Sequence, residues 1–174
     1  MISALAAVLQ LGDYWLVHRV KQARSFPMCV TLPVPYHAIQ RLLDRFVEHL
    51  DSQRRMFDVV VGIHYGGLPF AADIARTRHK PVRLIETRFK NISGVTVCED
   101  VFPRYTVDDI TSKHVLLVDN RIKSGLILEM ARRRLISDGA LSITTVVVFR
   151  PKGATGVADF SLLERRSKGD RFIR

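Results

Sequence analysis

The chain has 174 residues, 27 Lys plus Arg against 17 Asp plus Glu, a net charge of +10, and 47% apolar and 25% charged residues. That length makes a single domain able to bury a core, and the composition excludes disorder, collagen-like repeats and coiled coil. Two cysteines, Cys29 and Cys98, exclude a disulfide framework, and the lack of any C-x-x-C pair excludes a zinc ribbon.

Both cysteines lie in apolar runs and are expected as buried, inert thiols in a reducing, cytoplasmic setting. The positive balance suits a polyphosphate ligand, nucleic acid or simply a solvated surface. No apolar run reaches the ~20 residues of a membrane helix. The opening MISALAAVLQLG lacks a basic start and a cleavage site, so it reads as a helix and not as a leader.

Apolar positions Ile2, Leu5, Val8, Leu9, Trp15, Leu16 and Val20 predict an amphipathic helix within 2–24, with a break at Gly12–Asp13. Residues 28–32 read as a short strand ending at Pro33. From Tyr36 to Asp51, the set Ile39, Leu42, Leu43, Phe46, Val47, Leu50 predicts a helix. The run 56–63, MFDVVVGI, is an unalternating β-branched stretch, as in a strand covered on both faces. The glycine-containing HYGGLP reads as a turn into a helix at 68–79, followed by a strand at 81–88.

Residues 89–113 have no strong period, and twenty-five such residues predict either a short hairpin or a mobile loop with a task. Beyond them come a strand at 114–120, a helix at 124–139 ending on Gly139, and a strand at 141–150. The tail from Pro151 is polar and irregular, with a further strand expected at 160–163. Strand–helix–strand alternation predicts an α/β fold: a Rossmann-like, mainly parallel sheet with helices on both faces and right-handed crossovers.

In such sheets ligands bind beyond the carboxyl ends of the strands, and two strand ends carry suggestive residues. In VVVGIHYGGLPFA the pair Gly66–Gly67 is read as a tight turn presenting N–H groups to an anion, helped by the following helix's N-terminus. A purely structural turn is the alternative; neither the G-x-G-x-x-G fingerprint nor a G-K-[ST] step is present. In HVLLVDNRIKSGLILEMA, Asp119 closes a buried strand and Ser124–Gly125 opens a helix. A carboxylate there suits sugar hydroxyls or Mg²⁺, and the amides of 124–127 with the Ser124 hydroxyl form a phosphate cup. The alternative is that Ser124 only caps the helix.

Together, in this order and spacing, the two segments resemble the type I phosphoribosyltransferases from about Phe57 to Arg150. The nearest branch is the bacterial xanthine-guanine/hypoxanthine one. The resemblance implies that His64, Tyr65, Gly66 and Gly67 hold pyrophosphate. It also implies that Lys123, Ser124, Gly125, Leu126 and Ile127 hold the 5′-phosphate of phosphoribosyl pyrophosphate. Asp119, Asn120 and Lys123 would be the catalytic stretch, with Asp119 steering the ribose and contacting Mg²⁺ bound with the pyrophosphate. Residues 89–113 fall where the family keeps its flexible loop, and 151–174 where it builds a hood over the base. Arg150, Lys152 and Phe172 are then the base-binding residues. The segments 1–35 and 36–150 become a helical N-terminal extension and the core of one domain.

Five positions depart from the family pattern. The second acid is Asn120, and Lys123 replaces the acid that 6-oxopurine enzymes keep near the base. That change argues against a guanine or hypoxanthine enzyme more than against the family. Leu126 and Ile127 replace small and hydroxyl residues but leave the backbone cup. Tyr65 stands where the purine branch often has Arg.

The implied activity is transfer of a phosphoribosyl group to a nitrogen base in nucleotide salvage, by a cytoplasmic homodimer. The alternative is a non-catalytic relative that senses nucleotides or binds nucleic acid as a regulator; nucleic acid is the less favoured partner, because basic residues are scattered and few aromatics interleave them. Among the rest, His114 reads as structural and His18, His37, His49 and His79 share no metal spacing. Glu86 and Arg88 read as a solvated pair, Arg132, Arg133 and Arg134 as an exposed helix face, and Trp15 as core or dimer interface.

Overall fold

The computed structural model describes residues 36–165 and 170–172. The expected helix within 2–24, the strand at 28–32, Trp15, His18 and Cys29 lie outside these residues. Helix α1 spans Tyr36–Ser52, and strand β1 Val59–Ile63 runs directly into α2, His64–Arg78. Strands β2 (Val82–Ile92) and β3 (Val95–Pro103) follow, then a 3-10 turn at Val107–Asp109. Strand β4 (His114–Arg121), helix α3 (Leu126–Ser137) and strands β5 (Ser142–Arg150), β6 (Phe160–Arg165) and β7 (Asp170–Phe172) complete the fold.

Among the described residues the sheet has seven strands in the order β3-β2-β1-β4-β5-β6-β7. The five central strands are parallel, and β3 and β7 close the two edges antiparallel. Because β1 is buried at every position and β4 at Val115–Val118, these strands have no polar face to alternate with. Helices α1 and α2 cover one face: Ile39, Leu43, Phe46, Val47 and Leu50 of α1 meet Phe70, Ile74 and Ala75 of α2 over Val60, Leu116, Val118 and Val146. Helix α3 covers the other, setting Leu128, Ala131 and Leu135 on Val59, Val61, Leu117 and Val147. Truncating a central residue such as Leu117 to Ala is expected to cost about 2–5 kcal/mol.

The chain leaves β1 toward β2 and β3 on one side, then returns to β4 on the other. This reversal between β1 and β4 opens a crevice at their carboxyl ends, where α2 and α3 both begin. The two helices lie on opposite faces because right-handed crossovers in opposite directions must do so.

Several local expectations change. Strand β1 starts at Val59, leaving Met56 69% exposed. The irregular 89–113 stretch is largely the far part of a β2–β3 hairpin, whose register slips between Arg88 and Phe89. Arg88 faces Asp100 and Phe89 faces Cys98, so Glu99 is left over as a bulge. Cys98 is half-buried, and burial pushes its thiol above the usual range. Arg132, Arg133 and Arg134 are exposed as expected.

Candidate functional site

The first segment differs from the tight turn read in the sequence. Helix α2 begins at His64, so Gly66 and Gly67 lie in its first turn, and neither has a positive φ. Close approach explains them. A Cβ on Gly67 would stand 2.4 Å from the Val118 carbonyl oxygen, and one on Gly66 would stand 2.7 Å from Asn120 Nδ2. The two glycines therefore let the α2 N-terminus press against the end of β4, and this brings the two sequence-predicted segments together. The residue with left-handed backbone is His64, at φ 51°. Its Nδ1 is 3.1 Å from the Thr87 hydroxyl, and burial lowers its pKa, opposed by the nearby Glu86 carboxylate.

Next to it the Tyr65 hydroxyl donates to Glu86 Oε1 at 3.3 Å, while Arg104 Nη2 donates to Glu86 Oε2 at 2.7 Å. Arg104 and Tyr65 hold the Glu86 carboxyl below its usual range. Glu86 and Arg88 are thus not a pair. Arg88 stacks its guanidinium 4.2 Å over the Phe102 ring.

In the second segment Asp119 ends the buried part of β4. It is partly exposed, yet its carboxyl is poorly hydrated, and desolvation pushes its pKa up to about 7 against backbone N–H bonds from Asn120 (2.7 Å to Oδ1) and Arg121. A carboxylate in that setting gains from ligand hydroxyls or a divalent cation. Asp119 therefore fits a Mg²⁺ whose other oxygens come from the ligand; the described residues include no cluster of three His, Cys, Asp or Glu that would hold one alone.

Gly125 caps α3 in the left-handed region, φ 81°, and the Ser124 hydroxyl accepts a long 3.4 Å bond from the Leu126 amide. The first amides of α3 have no carbonyl a turn behind them to bond, so they face the crevice as donors. Leu126 is exposed, and Ile127 packs partly into the core beneath α3. The exposed Lys123 turns its carbonyl to accept the amides of Thr155 and Gly156, both at 2.9 Å. A Cβ on Gly125 would be 2.8 Å from Gly156 Cα, and one on Gly156 would be 2.5 Å from the Gly125 nitrogen.

Gly156 was not legible as part of a site; its one signal is a second glycine, after Gly153, in an irregular stretch. The same holds for Thr87, a strand residue without a motif. Of the expected base-binding residues, Arg150 ends β5 partly exposed and Lys152 is exposed in the next turn. Phe172 lies in β7, on the backbone opposite Leu163.

Comparison with known proteins bears on the family and the fold. A phosphoribosyl transferase domain family model matches residues 35–168. An orotate phosphoribosyltransferase from Saccharolobus solfataricus is 28% identical over 156 residues, covering 84% of this chain and 76% of that one. A hypoxanthine phosphoribosyltransferase from Haemophilus influenzae is 38% identical over 95 residues, 51% of this chain and 52% of that one. The transcriptional regulator GfcR of Methanococcoides burtonii is 23% identical over 156 residues, 83% and 76% of the two chains. In fold, the chain resembles a purine phosphoribosyltransferase from Pyrococcus horikoshii (TM-score 0.63, 20% identity, 75% of this chain and 84% of that one). It also resembles the adenine enzyme of Giardia lamblia (TM-score 0.63, 14% identity, 84% and 95%). The chain belongs to the phosphoribosyl transferase domain family and has the type I phosphoribosyltransferase fold.

Proposed function

We propose that the protein binds phosphoribosyl pyrophosphate and transfers its phosphoribosyl group to a nitrogen base. The observation that carries this reading is the convergence of two helix N-termini and Asp119 at the β1–β4 switch point. The first turn of α2, with Tyr65, Gly66 and Gly67, takes the pyrophosphate. The amides of 124–127 take the 5′-phosphate, and Asp119 accepts from the ribose hydroxyls. Mg²⁺ held by Asp119 and the ligand would supply charge neutralisation of the leaving group.

In the reaction a base nitrogen forms the N–C1′ bond with its lone pair as the C1′–O bond breaks. The electron pair leaves with pyrophosphate, and the base N–H proton passes to water. The protein's part is to hold the two ends of the donor apart and in line, and to place helix-end donors where negative charge grows. The β2–β3 hairpin stands beside the pyrophosphate end, placed to exclude water there.

Lys123 stands where 6-oxopurine enzymes keep an acid near the base, which argues against guanine and hypoxanthine; their turnover by the wild type is expected to be slow or absent. A second reading, a nucleotide-responsive regulator without catalysis, is favoured by Asn120 and Lys123 in the signature and by the likeness to a transcriptional regulator. Calorimetry with phosphoribosyl pyrophosphate, with and without Mg²⁺, followed by pyrophosphate release with adenine, uracil or orotate, separates the two. Binding with base-dependent release supports the enzyme, and binding without release supports the regulator. No binding overturns the enzyme, and no binding of nucleoside monophosphates in the same calorimetry overturns the regulator as well.

A further inference from the structure

His64 joins two parts of the molecule across a weak point in the sheet. Below the Arg88/Phe89 register slip its Nδ1 meets the Thr87 hydroxyl at 3.1 Å. Beyond the slip its ring meets Phe89 edge-on, centroids 6.1 Å apart, and on its own helix it meets Tyr65 at 4.9 Å. A bulge lets the outer part of a hairpin tilt relative to its base, because the ladder is interrupted there. His64 bridges that interruption from the side. It does so from a left-handed backbone position that a non-glycine residue adopts at a cost, which the surrounding structure offsets.

We propose that His64 is a positioning residue, a latch that fixes the hairpin's tilt to the conformation of the first turn of α2. Its partners are the Thr87 hydroxyl and the Phe89 ring. Tyr65, Glu86 and Arg104 form a second strap alongside it, linking the same turn to both feet of the hairpin. The functional side of the proposal rests on the reading that this turn takes pyrophosphate: an anion that orders the turn then orders the hairpin over it. The latch itself does not depend on that reading.

The charged groups around the ring are Glu86, which favours the imidazolium, and Arg104 on the far side of that carboxylate. Desolvation outweighs Glu86 and lowers the ring's pKa below the ordinary histidine range, and the Thr87 hydroxyl can donate to Nδ1 or accept from it.

The test is amide hydrogen exchange on the full chain, first without ligand and then with inorganic pyrophosphate and Mg²⁺. Removal of one neutral hydrogen bond in Thr87→Val is expected to speed exchange of 64–67 and of 89–98 together by about three- to tenfold, leaving exchange in β4 and β5 unchanged. Thr87→Ser keeps the hydroxyl and stays near wild type. His64→Asn, which keeps a polar atom near the Nδ1 position and tolerates the left-handed region, recovers part of the protection. His64→Gly relieves the backbone and loses it. Unchanged exchange in Thr87→Val, or full protection in His64→Gly, overturns the latch. With pyrophosphate, the wild type is expected to gain protection in the hairpin and Thr87→Val in α2 alone. If pyrophosphate does not bind the wild type, the proposed function fails while the ligand-free result still decides the latch.

Discussion

The two segments that meet at the switch point are fastened in different ways. The β1–α2 segment is held by side chains: His64 on Thr87, Tyr65 on Glu86, Arg104 closing behind. The β4–α3 segment is held by backbone: the Lys123 carbonyl on two amides of the 155–156 turn, with Gly125 and Gly156 in direct contact. A backbone clamp keeps its shape whatever side chains hang from it. This explains how Leu126 and Ile127 depart from the family pattern without changing the helix start. A side-chain clamp is tuned by every residue in it, and here Tyr65 sets it through its hydroxyl on Glu86.

Substitutions can break this contrast, most severely where the segments touch. Gly67→Ala puts a Cβ against the Val118 carbonyl of a central strand, and neither backbone can yield. We expect a loss of about 3 kcal/mol or more in urea denaturation; a loss below 1 kcal/mol would mean the α2 start is not pressed on β4.

Gly125→Val meets both a left-handed φ and the Gly156 backbone. It is expected to cost about 2–3 kcal/mol in stability and to abolish binding of ribose 5-phosphate and nucleoside monophosphates. Binding of ribose 5-phosphate at wild-type strength would remove the cup from the site.

Asp119→Asn is expected to weaken phosphoribosyl pyrophosphate binding by about 1.5–3 kcal/mol, the scale of a charged hydrogen bond, measured by calorimetry at pH 8. The same variant tests the acid's environment. Its pKa in the folded protein, about 7, lies above the ordinary carboxylate range, so the folded state holds the proton more tightly than the unfolded one. Its contribution to stability is present below the ordinary range and is lost as pH rises to about 7. The wild-type melting temperature should therefore fall between pH 5 and 8 more than that of Asp119→Asn. Parallel profiles would show a well-hydrated carboxylate.

The smallest effect sharpens the contrast instead of breaking it. Leu126→Thr restores a hydroxyl on an exposed position of a backbone-held cup, so stability should change by no more than about 0.5 kcal/mol. Phosphate affinity should rise by a few-fold at most. A large rise would show that side chains, and not amides, dominate that cup.

What the sequence determined by itself is the parallel core and the place of its ends. The runs 59–63 and 114–118 are apolar at every position save Gly62 and His114, which only a doubly covered strand accommodates, and the apolar spacing of 39–50 is that of a helix on a sheet. The β4–α3 segment was legible because its chemistry is local: an acid, a short loop, a serine and a left-handed glycine adjoin in the chain. The β1–α2 segment was half legible. Its glycines stood out, but their reason did not, because it is a strand some fifty residues away and not a turn. Gly156 against Gly125, Thr87 against His64 and Arg104 against Glu86 were decided by tertiary structure alone. Each involves a residue outside any motif, Gly156, Thr87 or Arg104, and the distance to its partner is set by how the sheet is ordered, which local periodicity does not encode.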